Sequence, residues 1–198
     1  MKNCFDYPPG SACGGMDVRM TDFLAALGRI HAMPPNRSIV PHDYVSMAAA
    51  LREAYDSQPI KFREDWRVMS FMSGHARQLG QWTECVVLSS EAFRQMSLRG
   101  TCAVDLSAPR CRDLSLGNPL FDMTMAVALD FPFDQSLHLL QTLTGQGAEA
   151  RDLLWFAWRH LVSCLVATVA TCDETAINSV QRRITSFTSF AAAMLAEV

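Results

Sequence analysis

The sequence predicts an all-helical fold in one domain, and three observations carry that reading. Apolar residues recur at three- and four-residue spacing along most of the 198 residues. The best strand candidate, Val86-Val87-Leu88, is too short to outvote its helical surroundings. The block from Ala150 to Leu165 is the densest aromatic and aliphatic stretch. Within it Leu154, Trp158, Leu161 and Leu165 share one helical face, while Leu153, Trp155, Phe156 and Val162 load the neighbouring faces. Such a helix must be covered on more than one side. A core of this size covers part of it, and a second subunit is the natural source of the rest.

The elements follow in order. Residues 1–15 hold Pro8, Pro9, Gly10, Gly14 and Gly15 and read as an irregular arm. A first helix runs from Asp17 or Thr21 to about His31, with Phe23, Leu24, Leu27 and Ile30 on one side, and Pro34-Pro35 end it. Asp43 is set to cap a second helix through Ser57, striped by Tyr44, Met47, Leu51 and Ala54. From Pro59 to Ser97 no proline intervenes, and Phe62, Trp66, Met69, Met72, Trp82 and Phe93 keep a helical rhythm. One helix of that length would measure roughly 50 Å or more, with Gly74 and Gly80 as the places to bend. Residues 101–119 are rich in Ser, Pro, Asp and Gly and read as a long loop or tip. Helices are then expected from Leu120 to Asp130, from about Phe133 to Thr144, from Ala148 to Cys172, and from Asp173 or Thr175 onward. The last carries Ile177, Val180, Ile184, Phe187 and Phe190.

Hydrophobic residues make up 49% of the chain and charged ones only 19%, low enough to expect surface hidden in an assembly. A net charge of −3 supplies no general attraction to nucleic acid. Neither a signal peptide nor an apolar run of about 18 uninterrupted residues is visible, so the chain reads as soluble and intracellular. The seven cysteines lack the paired short spacings of a zinc module. Cys102 and Cys111 bracket a loop that oxidation could close.

No constellation of acid, base and nucleophile stands out, so no enzymatic activity, cofactor or metal is expected. His160 and Cys164 lie four apart on one helix face, but no third ligand or orienting acid is near in sequence. His31 and His42 flank a proline-rich loop and could converge on a ligand. Arg182 and Arg183 read as a solvated face. Eleven methionines add adaptable apolar surface.

Several motifs carry a resemblance. Ala-Arg-x-Leu-Leu-Trp-Phe at 150–156, followed by Ser163-Cys164-Leu165, resembles the central helix of the hepadnavirus core (capsid) proteins, which reads Leu-Leu-Trp-Phe or Leu-Leu-Trp-Trp and soon reaches Cys-Leu. Met16-Asp17-Val18 is similar to the Met-Asp-Ile that opens those proteins, and Ala49-Ala50-Leu51-Arg52-Glu53-Ala54 to their short second helix. The chain departs from the mammalian members by one extra helical turn at Ala157 to His160, by the residues ahead of Met16 and by Thr101 to Pro132. Avian members and the non-enveloped fish relatives, the nackednaviruses, vary in these regions.

The resemblance implies a viral capsid protein that dimerises and assembles into an icosahedral shell around its genome. Its place would be the virion and the host cytoplasm, with the nucleus also open. The implied architecture is a long helical hairpin pairing into an intermolecular four-helix bundle, with short N-terminal helices and a C-terminal assembly helix. Trp155, Phe156 and Cys164 carry over as the base of the hairpin and its hydrophobic pocket, with Trp66, Trp82, Leu154 and Trp158 completing the seam. Ile184, Phe187, Phe190 and Leu195 would make the contact between dimers. The family holds nucleic acid through an arginine-rich tail, and these 198 residues contain no such run. The alternative is a cytosolic all-helical adaptor or regulator that binds a partner helix through an apolar, methionine-rich surface.

Overall fold

Capping chemistry fixes the first two helices where the sequence puts them. Asp17 accepts a hydrogen bond from the Arg19 amide at 2.7 Å and starts α1 (Val18–His31). Asp43 accepts from the Val45 and Ser46 amides and starts α2 (Tyr44–Asp56). The buried positions of α1 include Phe23, Leu24, Leu27 and Ile30, and those of α2 are Tyr44, Ala48, Leu51 and Tyr55. The structure is a computed structural model that describes residues 17–63, 65–80 and 84–196. The arm expected over 1–15, together with Met16 and Trp82, lies outside the described residues.

The long helix expected from Pro59 to Ser97 is not formed. In its place stand α3 (Asp65–His75), β1 (Val86–Leu88) and α4 (Ser90–Arg99). Gly80, one of the two expected bends, has a φ of 66°, which is outside the right-handed helical region. Beyond it, Val86, Val87 and Leu88 are completely buried. Two adjacent β-branched residues favour extended backbone there. A partner is supplied by β2 (Leu114–Leu116), which pairs antiparallel with Val86 opposite Leu116 and Leu88 opposite Leu114. The loop before α2 joins the other side of β2: the His42 amide donates to the Leu116 carbonyl at 2.8 Å.

The loop expected over 101–119 is found as far as Arg112, nearly all of it exposed or partly exposed, and is corrected from Asp113 onward. After two short 3-10 turns, Thr101–Ala103 and Cys111–Asp113, every residue from Asp113 to Leu129 is buried. In that second part the polar residues satisfy backbone inside the protein. Asp113 accepts from the Arg110 amide, and the Asn118 side chain accepts from the Leu120 amide at 2.9 Å. The helix expected to reach Asp130 is α5 (Leu120–Met123), continued as a 3-10 turn over Thr124–Val127. Cys102 and Cys111 are exposed thiols and form no disulfide.

Three longer helices follow: α6 (Phe133–Gly145), α7 (Ala150–Val169) and α8 (Glu174–Ala196). Asp173 accepts from the Ala176 amide at the start of α8, as expected of a cap. The described chain is thus mostly helical, with eight α-helices and one two-stranded sheet. At its centre is α7, in which all eight residues from Leu153 to His160 are buried. It packs against α2, α3, α4, α5, α8 and the Thr124–Val127 turn. Covering on more than one side is therefore met from within a single chain. By length and hydropathy α7 is also apolar enough to cross a membrane, but 78% of its most apolar window is buried in the protein's own core. α8 folds back on α7 through a turn in which Cys172 takes a φ of 57°.

Candidate functional site

The chemistry-bearing residues gather where α7 crosses β1 and α5. Phe121 and Asp122 of α5 lie at the middle of this cluster. The Asp122 carboxylate is fully buried, accepts from the Leu88 amide at 2.9 and 3.1 Å, and pairs with His31 Nε2 at 2.8 Å. Burial pushes its pKa up, opposed by His31 and the Leu88 amide. His42 donates through Nε2 to the Leu88 carbonyl at 3.1 Å. The two histidines flanking the proline-rich loop therefore converge on Leu88, His42 directly at its carbonyl and His31 through Asp122 at its amide.

Above Phe121, Arg159 and His160 form the second half of the cluster. His160 Nε2 lies 2.7 Å from the Phe121 carbonyl, which can only accept, so Nε2 carries the proton. Its Nδ1 then accepts from Arg159 Nη1 at 3.1 Å, since a guanidinium can only donate. The imidazole is held neutral: burial and the adjacent guanidinium press its pKa well below the ordinary value. Burial likewise brings His42 down to about 4. Arg159 Nη2 donates to Ser90 Oγ at 2.9 Å, and the guanidinium sits 4.8 Å from the centre of the Phe121 ring. Although 94% of its surface is buried, no carboxylate among the described residues lies within ion-pairing distance of it. Burial lowers its pKa to about 10, so it stays charged at neutral pH.

Aromatic packing locks the cluster in place. Tyr44 meets Trp155 and Phe156 edge-on at 5.6 and 5.3 Å, and its hydroxyl accepts from the Asn118 amide at 2.7 Å. Trp155 donates to the Met72 carbonyl at 2.8 Å. With His42 and His160 bound to backbone carbonyls and His31 to the Asp122 carboxylate, these contacts tie α1, α2, α3, α4, α5 and α7 to one another and to β1. Beside them, α4 and α7 leave a groove of about 600 Å³ whose lining includes Arg159, Ser90, Phe93 and Val166.

Leu154, Trp155, Phe156, Trp158 and Cys164, expected at the dimer seam, are all buried within one chain, none more than 4% exposed. Trp66 is 67% exposed and separate from them; Trp82 lies outside the described residues. Of the residues expected between dimers, Ile184 and Phe187 are buried, the latter edge-on against Trp158 at 4.9 Å. Phe190 is half-buried beside Phe187, and Leu195 is 46% exposed. His160 and Cys164 do not share a site, because the thiol points to the Ala128 carbonyl, and burial pushes its pKa up. Among the described residues no group of three or more His, Cys, Asp and Glu is placed to hold a metal ion. Arg183, expected on a solvated face with Arg182, donates to the Val127 and Phe131 carbonyls at 3.0 and 2.8 Å.

The cluster went unread in the sequence because its members are scattered from His31 to His160. One signal was present: Arg159-His160 interrupts an otherwise apolar helix, and buried charge must find partners. No protein-family model, curated protein or solved structure matches this chain.

Proposed function

We propose that this chain is a non-enzymatic subunit of a self-assembling shell, the role that its resemblance to the hepadnavirus core proteins implies. The supporting observation is Trp66. It lies 67% exposed in the first turn of α3, whereas Trp155 and Trp158 are buried. Tryptophan is among the residues that most often anchor protein interfaces, so one this exposed, with the Arg67 guanidinium over its ring at 5.3 Å, is a candidate contact between subunits. Leu195, exposed near the end of α8, is a second. In this reading the aromatic block is the rigid base of each subunit, and association runs through α3 and the end of α8.

The test is sedimentation and negative-stain microscopy of the purified chain and of Trp66→Ala. Uniform particles, lost in the variant, support the shell. A monomer at high concentration rejects it.

A second reading, a helical binding module, is favoured by the groove between α4 and α7. Under it the chain is a stable monomer whose partner contacts that groove.

A further inference from the structure

Arg159 is the one strongly buried cation of the cluster without a buried anion to offset it. Its hydrogen-bond partners, Ser90 Oγ and His160 Nδ1, are both neutral. They use two of its five N–H donors. Arg159 nevertheless lines the groove between α4 and α7, 6% exposed, beside Ser90, the hydroxyl partner of its Nη2. An uncompensated charge in an apolar setting is costly, and it is relieved by an anion arriving along the open side.

The rest of the groove fixes what kind of anion fits. Leu51, Phe93, Leu98, Val166 and Ala167 give it an apolar wall. Two further charges line it, but Arg94 holds Glu91 through two hydrogen bonds of 2.8 and 2.7 Å, and this pair cancels. With Arg159 and Arg94 positive and Glu91 negative, the groove carries one net positive charge. A monoanion balances it, whereas a dianion would leave charge stranded against apolar walls. A volume of about 600 Å³ suits a small molecule. The planar fork of an arginine matches a carboxylate.

We propose that the groove between α4 and α7 binds a small amphipathic monocarboxylate. Its carboxylate meets Arg159 and Ser90, and its apolar chain lies along Phe93, Leu98 and Val166. The site goes beyond the shell reading and does not depend on it: Arg159 and the groove belong to one chain whether or not that chain assembles.

The test is calorimetric titration with decanoate and 1-decanol below their aggregation limits, against the full chain and the variants Arg159→Met and Ala167→Trp. Wild-type protein is expected to bind one decanoate at least tenfold more tightly than the alcohol. Arg159→Met should abolish that preference, and Ala167→Trp, which fills the groove from a position about two turns along α7 from Arg159, should abolish binding. Decanoate failing to bind, acid and alcohol binding alike, or a folded Arg159→Met keeping wild-type affinity each overturns the proposal. If Arg159→Met does not fold, Ala167→Trp decides: decanoate binding retained in that variant places the ligand elsewhere and overturns the proposal. Particle formation scored on the same samples reports separately on the shell.

Discussion

A side chain on Gly117 would collide with Tyr44: a Cβ built there falls 2.8 Å from the tyrosine hydroxyl, and 2.9 Å from both His42 Cδ2 and Val87 Cγ2. The hydroxyl is itself tied to the next amide, Asn118 N, at 2.7 Å. β2 thus leaves the sheet so close to α2 that only a bare α-carbon fits.

Gly117→Ala is therefore expected to destabilise the fold by about 1–3 kcal/mol, the usual range for overpacking a closed core. Urea unfolding followed by tryptophan fluorescence measures it. An unchanged midpoint would mean that Tyr44 and His42 move aside.

The buried histidines should make stability fall on mild acidification, against the opposite contribution of Asp122. His42 titrates near 4 when folded, against an ordinary value of 6.5, and burial is the leading cause. Between those values the unfolded chain takes up a proton that the folded chain refuses. The stability is thus fully present above about 6.5 and lost as pH drops toward 4. His42 alone accounts for roughly 2 kcal/mol between pH 7 and pH 5, and His160, also held below its ordinary value, adds in the same direction. Denaturation midpoints at the two pH values test this, with His42→Asn expected to flatten the slope.

The exposed and buried tryptophans should part company. Trp155→Ala removes a fully buried ring and its hydrogen bond to Met72, at a cost of about 3–5 kcal/mol. Trp66→Ala should shift stability by no more than about 0.5 kcal/mol while weakening self-association. Thermal melts and sedimentation on the same samples separate the two effects.

The two neighbouring arginines of α8 should also differ. Arg183 reaches the Val127 carbonyl at the end of the Thr124–Val127 turn and the Phe131 carbonyl beyond it, and covers the Phe133 ring at 5.4 Å. Arg183→Gln is expected to cost about 1–3 kcal/mol. Arg182 is exposed, and Arg182→Gln should stay within about 0.5 kcal/mol. Equal melting temperatures would refute the difference.

What could be read along the chain was local chemistry. Asp17, Asp43 and Asp173 cap where a short acceptor precedes an apolar rhythm, and α7 was visible from Leu153 to Leu165 because periodicity and density coincide there. Pairings across the chain were not legible. Val86-Val87-Leu88 becomes a strand only because Leu114-Ser115-Leu116, 28 residues away in register, stands beside it. The same distance hid the cluster: nothing next to Asp122 in sequence announces that His31 and Leu88 will meet it. The segment around Asn118 read as loop because its polar residues have no visible partners until the fold supplies them.

The position of α7 in the chain bears on how the protein is made. α2, α3, α4 and α5 all rest on a helix that begins at Ala150, after all four of them in chain order. Until it emerges, the faces holding Tyr44, Met72, Phe93 and Phe121 lack the helix that buries them together. A nascent chain therefore presents sticky helices until α7 has been made, a window in which chaperones or neighbouring nascent copies have first access to them.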